Sequence, residues 1–305
     1  MLNKKTLIAA ILVLTVFVVS SCTGINKPAE SNNSDVESGA EEIKQGQIME
    51  QYEKLMSQKT DIREYISFAD ENIEFLSEEN AAKLIIQMEE LQKEYLDELE
   101  NEYYCMDQSI LFQLYEPEYN LANLVPENVE DEEVKRILKE TYELGYKVDT
   151  SEGIFFPIID YSFYEKYSQY LTEDMKDYIG IMAVESDKMP AKDAGLVISW
   201  EEVLERAFNQ ESFLEKHKDS VKYEDIKNLY NKYVSFIVYG IDNTPLFKHV
   251  ESTMNDEAKI AYQNSIDKDS NLSRILKEYY EVIEREGFKL TDNVKKFRDE
   301  VMKKF

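Results

Sequence analysis

Apolar residues recur along this chain at helical steps far more often than they alternate. Ala81, Leu84, Ile85, Met88, Leu91, Tyr95, Leu99 and Tyr103 fall mostly three or four residues apart. Ser77 stands ahead of them as a capping residue, with Glu78 and Glu79 in the first turn. The spacing predicts a long helix with one apolar stripe and an acidic back. Shorter stripes follow at Val134, Ile137, Leu138, Thr141 and Tyr142, and at Met175, Tyr178, Ile179 and Met182 behind a Thr172 cap. "SWEE" at 199–202 reads as a capping box, Ser199 facing Glu202, ahead of Val203, Leu204, Ala207 and Phe208. Further stripes occupy 226–237, 272–283 and 294–301.

Alternating β-branched runs are nearly absent and glycine numbers only nine, so the pattern predicts an all-α chain, a multi-helix bundle or irregular helical array of about ten helices. Capping boxes, prolines and aromatics do not return at a constant spacing, which argues against a tetratricopeptide-type solenoid. The helical body is expected over 48–305, divided if anywhere at the loop "KVDTSEGIFFP", 147–157.

Charge narrows the partners. Against 62 acidic residues stand 35 Lys and Arg, a formal charge of −27. That field repels nucleic acid and anionic lipid headgroups, so no nucleic-acid partner is expected. With 43 % apolar residues there is enough to fill one large or two small cores. Of the two cysteines, Cys105 sits among carboxylates that raise a thiol pKa and has no histidine nearby, so it reads as a buried or idle residue.

The ends of the chain differ in kind. Lys4 and Lys5 precede an apolar run at 7–19 and the small residues Ser20 and Ser21, the layout of a secretory signal. Val19-Ser20-Ser21-Cys22 resembles the lipobox of bacterial lipoproteins. The resemblance implies a lipid on the Cys22 sulfur, cleavage after Ser21, and a mature chain held at the cell membrane facing out of the cytoplasm. Two or three acyl chains hold firmly where one holds marginally. The stretch 22–47, rich in Ser, Asn, Gly and acids, is expected to be a disordered acidic tether.

Several chemical templates lack parts. There is no Gly-rich phosphate loop and no nucleophile-elbow serine, and two histidines, His217 and His249, are too few for a His-based zinc site. Neither a cofactor nor a metal is expected. Asp267, Asp269, Asn271, Ser273 and Glu278 match calcium-loop spacing, but Leu272 occupies the position that needs glycine. Leu272, Ile275, Leu276 and Tyr279 instead predict a helix capped by Asp269 or Ser270.

Two segments remain as candidate sites. Residues 152–171 hold the densest aromatics. Phe155, Phe156, Tyr161, Tyr164 and Tyr167 read either as a groove for a ligand or partner, or as core, with Pro157 in a loop before a helix. The stretch 181–196, with Val184-Glu185-Ser186, Pro190 and Gly195-Leu196, resembles the active-site segment of lytic transglycosylases, which cleave peptidoglycan. The resemblance implies that Glu185 protonates the glycosidic oxygen, and its place at the rim of an apolar stripe suits a raised pKa. The same residues also read as a helix end with a solvated glutamate. The first expectation is a non-enzymatic binding or interaction module of the cell envelope, for an envelope protein or ligand; the alternative is a peptidoglycan-cleaving enzyme.

Overall fold

The computed structural model describes residues 33–58 and 61–305, so the signal stretch, the lipobox and Cys22 lie outside the described residues. The chain divides into two units, Met1–Glu42 and Ile43–Phe305. Helix α1 (Asn33–Ser57) is all that is described of the first, and it continues into the second. Residues 33–47, expected as tether, are therefore helical. Ile48 and Tyr52, one turn apart, are buried, and Gln45 accepts a hydrogen bond from the Ser77 backbone at 2.9 Å, so packing begins ahead of residue 48.

The second unit is all-α. It runs through α2 (Ile62–Asn72), α3 (Glu78–Cys105), α4 (Gln108–Tyr115), α5 (Glu132–Glu143), α6 (Glu173–Asp187), α7 (Trp200–Lys216), α8 (Tyr223–Tyr239), α9 (Asp256–Ser265), α10 (Asn271–Arg285) and α11 (Asp292–Met302). Among the described residues, no helix is long and apolar enough to cross a membrane. The caps follow the sequence at Ser77, Ser199 and Ser270, whose side chains accept from the N–H groups of Asn80, Glu202 and Ser273. Thr172 stands at the start of α6 but makes no side-chain cap bond.

Strand pairing appears where a loop was expected. β1 (Tyr146–Ser151) and β2 (Ile154–Ile159) form a hairpin in which Val148 faces Pro157 and Ser151 faces Ile154. Glu152 and Gly153 both have positive φ, 52° and 78°, the two-residue turn whose twist matches that of the flanking strands. Phe155, Pro157 and Ile159 turn inward at period two. Pro157 is thus a strand residue, and the segment 147–157 falls within the unit Ile43–Phe305. After the hairpin the chain enters a 3₁₀ segment, Tyr161–Tyr170, whose three-residue turn stacks Tyr161, Tyr164 and Tyr167 on one buried edge.

Two smaller hairpins, β3 (Ala191–Lys192) with β4 (Gly195–Leu196) and β5 (Gly240–Ile241) with β6 (Thr244–Pro245), come directly after α6 and α8. The three turns are tied together. Ser151 Oγ donates to Asp193 at 2.7 Å, and Asn243 donates to the carbonyls of Ala194 and Asp193 at 2.8 and 2.6 Å.

Apolar packing forms two clusters. The first gathers side chains between Tyr52 and Ala183 and takes in Phe213 and Ile226; the second runs from Ile198 to Val301. The handover falls in the β3–β4 region, and Leu214 and Leu229 touch both clusters. The β1–β2 hairpin lies wholly within the first.

Candidate functional site

The aromatic segment is core. Phe155, Tyr161, Tyr164 and Tyr167 are all buried, and only Phe156 is half exposed. Their polar handles are spent inside the protein. Tyr161 and Tyr178 donate to Glu89 at 2.7 and 2.6 Å, Tyr167 donates to Asp70 at 2.7 Å, and Tyr164 donates to the side-chain oxygen Oε1 of Gln92. Gln108 grips both backbone groups of Phe155, at 2.9 and 3.0 Å. The groove reading is therefore corrected for Phe155, Tyr161, Tyr164 and Tyr167, whose side chains are buried in the core, the tyrosine hydroxyls spent on partners within the fold; Phe156 alone keeps a half-exposed face.

Glu185 stands in a different setting. It lies in the last turn of α6, and between α6 and α7 there opens a cleft of about 270 Å³. Asp177, Gly180, Ile181, Val184 and Glu185 line it from α6, at helical steps along one face. The α7 wall carries Arg206, Asn209, Gln210, Phe213 and Lys216, again one or two turns apart. Ile181, the exposed Val184 and the buried Phe213 give the lining its apolar part, while Asp177 and Lys216 add charge. Asp177 is held by His217, whose Nε2 lies 2.8 Å from its Oδ2.

The Glu185 side chain is 10 % exposed and its Oε1 is doubly engaged. Tyr233, on α8, donates to it at 2.6 Å, and Arg206 Nη1 approaches at 3.4 Å. Arg206 is itself buried and braced by the Lys188 carbonyl at 2.9 Å and by Glu202 at 2.5 Å. Burial pushes the Glu185 carboxyl above its ordinary value, against the opposing pull of the Tyr233 hydrogen bond and the Arg206 charge. For Glu202, burial also pushes upward, but the Lys188 and Arg206 bonds outweigh it and the carboxyl ends below its ordinary value. Glu185 is thus no solvated helix end; it is a partly protected acid in the cleft wall.

Gln210 is the unusual member. Its side chain is fully buried, it lines the cleft, and neither its amide nitrogen nor its carbonyl oxygen has a hydrogen-bond partner among the described residues. Arg206 Nε, one turn earlier, is likewise unpartnered. Buried polar groups are nearly always paired, because an unmade bond costs about 1–3 kcal/mol. Opposite them, Gly180 occupies the interior of α6, and a Cβ built there meets nothing within 4 Å. A helix interior gives up roughly 0.5–1 kcal/mol by holding glycine in place of alanine.

Sequence reasoning found Glu185 and missed its companions. The signal for Arg206 and Gln210 was their position: both sit on the buried face of a helix whose neighbouring turns carry Val203, Ala207 and Phe213. A polar residue on an apolar stripe marks either a paired core group or a site. Among the described residues no group of three or more His, Cys, Asp and Glu side chains converges as a metal site. Comparison with protein-family models, with curated proteins and with solved structures finds no match.

Proposed function

We propose that this chain is an extracytoplasmic lipoprotein, anchored to the cell membrane through lipid on Cys22, and that its body is a non-enzymatic binding module of the cell envelope. Its ligand is a small polar molecule seated between α6 and α7. The observation that carries the binding reading is the α6–α7 cleft itself, about 270 Å³, in which the partly protected Glu185 and the buried Arg206 share the lining with Ile181 and Phe213. The anchor is supported by Val19-Ser20-Ser21-Cys22 behind a basic and apolar stretch. The net acidic charge keeps the body away from anionic headgroups, so lipid and not electrostatics holds the protein at the membrane.

The second reading, peptidoglycan cleavage with Glu185 as general acid, is favoured by the raised pKa of that carboxyl and its place in the cleft. Against it stands the engagement of Oε1 by Tyr233 and Arg206, which holds the group as an ion-pair member.

Three measurements test these statements. Cys22→Ala should abolish incorporation of labelled fatty acid; persistent labelling overturns the anchor. Purified peptidoglycan incubated with the full chain should release no fragments by mass spectrometry. Release that disappears in Glu185→Gln would replace the binding reading with the enzyme. The full chain in mild detergent, titrated with a fragment mixture of amides, carboxylates, amines and sugars, should show shifted amide resonances at Gly180 and Gln210; silence at both overturns binding in this cleft.

A further inference from the structure

We infer that the shallow groove between α3 and β2 docks an extended segment of a partner protein, one that carries arginine or lysine beside apolar side chains. The groove holds about 510 Å³ and takes Asp97, Glu100 and Tyr104 from α3, and Ile154 and Phe156 from β2. Strand alternation sends Ile154 and Phe156 to the face opposite the buried Phe155 and Pro157. Tyr104 is 84 % exposed and Ile154 55 %, while Phe156 is half exposed. A single exposed apolar residue is ordinary, but three that wall one groove make a surface for another molecule to cover.

Charge decides what kind of molecule. The ion pairs of α3 fall before and after the groove, at Glu89, Glu90 and Glu102. Asp97 and Glu100 are exposed, have no ion-pair partner among the described residues, and share the groove with no basic side chain. The α6–α7 cleft, by contrast, sets Lys176, Arg206 and Lys216 beside its acids. Asp97 and Glu100 stand three residues apart on one face of α3, so a single cation reaches both. Tyr104, one turn further on, adds a ring face over which a guanidinium or ammonium is attracted. Ile154 and Phe156 then seat the apolar neighbours of that cation.

The dimensions suit an extended chain. From Asp97 to Tyr104 the helix rises about 10 Å, the reach of about three extended residues. Gln108 already holds both backbone groups of Phe155, so the segment adds no strand at that point and its side chains carry the recognition. A second copy of this chain is a poor occupant, because a formal charge of −27 sets acid against acid.

The test titrates the full chain in mild non-ionic detergent with the blocked heptapeptide Ala-Leu-Arg-Leu-Arg-Leu-Ala, followed by calorimetry and by the amide resonances of Tyr104 and Phe156. The same peptide with glutamine in place of both arginines should bind about tenfold more weakly or not at all. Tyr104→Ala and the double variant Asp97→Asn/Glu100→Gln should each weaken the arginine peptide by about tenfold. Their melting temperatures should hold, since all three side chains are exposed. Glu281→Gln/Glu284→Gln removes the same charge from exposed positions on α10 and should leave binding unchanged. An equal loss from the α10 pair would reduce the effect to the net charge of the chain and overturn the docking site. Argininamide binding as tightly as the peptide would give the groove to a small cation and overturn the peptide occupant. No saturable binding up to about 1 mM peptide would overturn the inference outright. None of these variants lies in the α6–α7 cleft, so the result stands apart from the ligand proposed there.

Discussion

Tyr233 on α8 reaches across to α6 and donates its phenolic hydrogen to Glu185 at 2.6 Å, on the oxygen that Arg206 also approaches. One phenol and one guanidinium thus oppose the burial that raises the carboxyl's pKa.

Tyr233→Phe removes one of the two stabilising interactions and should move the Glu185 titration further up, read by carbon NMR of the carboxyl. The consequence for stability has a definite sign. A carboxyl whose folded pKa lies above its ordinary value near 4.5 binds its proton more tightly when folded. Its contribution is therefore fully present below about that pH and is lost as pH rises through the folded value. Glu185→Gln, which cannot titrate, should flatten this part of the stability profile in urea unfolding measured from pH 4 upward. An unchanged profile would mean that the carboxyl does not feel its burial.

The buried pair Glu89–Lys222 predicts the opposite slope. Both side chains are nearly inaccessible, at 2 % and 4 %, and Nζ lies 2.6 Å from Oε2. Burial alone would raise the Glu89 carboxyl, but Lys222 and the hydroxyls of Tyr178 and Tyr161 outweigh it and hold the group below its ordinary value. Stability from this group is present above the ordinary carboxylate range and is lost as pH falls through the folded value. Lys222→Met leaves a charge buried with only the half-exposed Lys93 beside it, and should cost about 3 kcal/mol in urea unfolding at neutral pH. A loss under 1 kcal/mol would show that the pair is better solvated than its position implies.

The aromatic segment is tested against an exposed tyrosine elsewhere in the chain. Tyr164 is 1 % exposed, and Tyr164→Ala should destabilise by about 3–5 kcal/mol. Tyr104, 84 % exposed on α3, should change stability by no more than about 0.5 kcal/mol when replaced by alanine. Equal small effects at both positions would return the segment to the surface.

The β3–β4 turn holds Asp193 and Ala194 at φ 50° and 56°, where a side chain is strained. The bonds from Asn243 and Ser151 keep the turn in place. Ala194→Gly relieves the strain and should raise stability by about 0.5–1 kcal/mol, measured by denaturant midpoint at constant slope. Asn243→Ala removes the side-chain bond to the Asp193 carbonyl, leaving the backbone bond to Ala194, and should lower it.

Local sequence chemistry determined the helices, because a stripe at three- and four-residue steps with a polar cap needs no distant partner to be recognised. α3, α5, α6, α10 and α11 appear at the stripes, and Ser77, Ser199 and Ser270 cap as their spacing requires. The all-α class follows from the same patterns. The hairpin at Tyr146–Ile159 was legible in part, since Glu152-Gly153 is a turn signal, but Phe155-Phe156-Pro157 resembles neither an alternating strand nor a helix. Its strand character is fixed by Gln108, which bonds both backbone groups of Phe155, and by the packing of β2 on α3 and of Phe155 on Tyr115. Whether Phe155, Tyr161, Tyr164 and Tyr167 faced a partner or a core could not be decided from composition, because tyrosine suits both; Glu89, Gln92 and Asp70, scores of residues away, decided it. Glu185 was visible as one acid among many. Only the packing of α7 and α8 against α6 brings Arg206 and Tyr233 to it, since a cleft is made by the distance between two helices, and no single helix carries that distance in its own sequence.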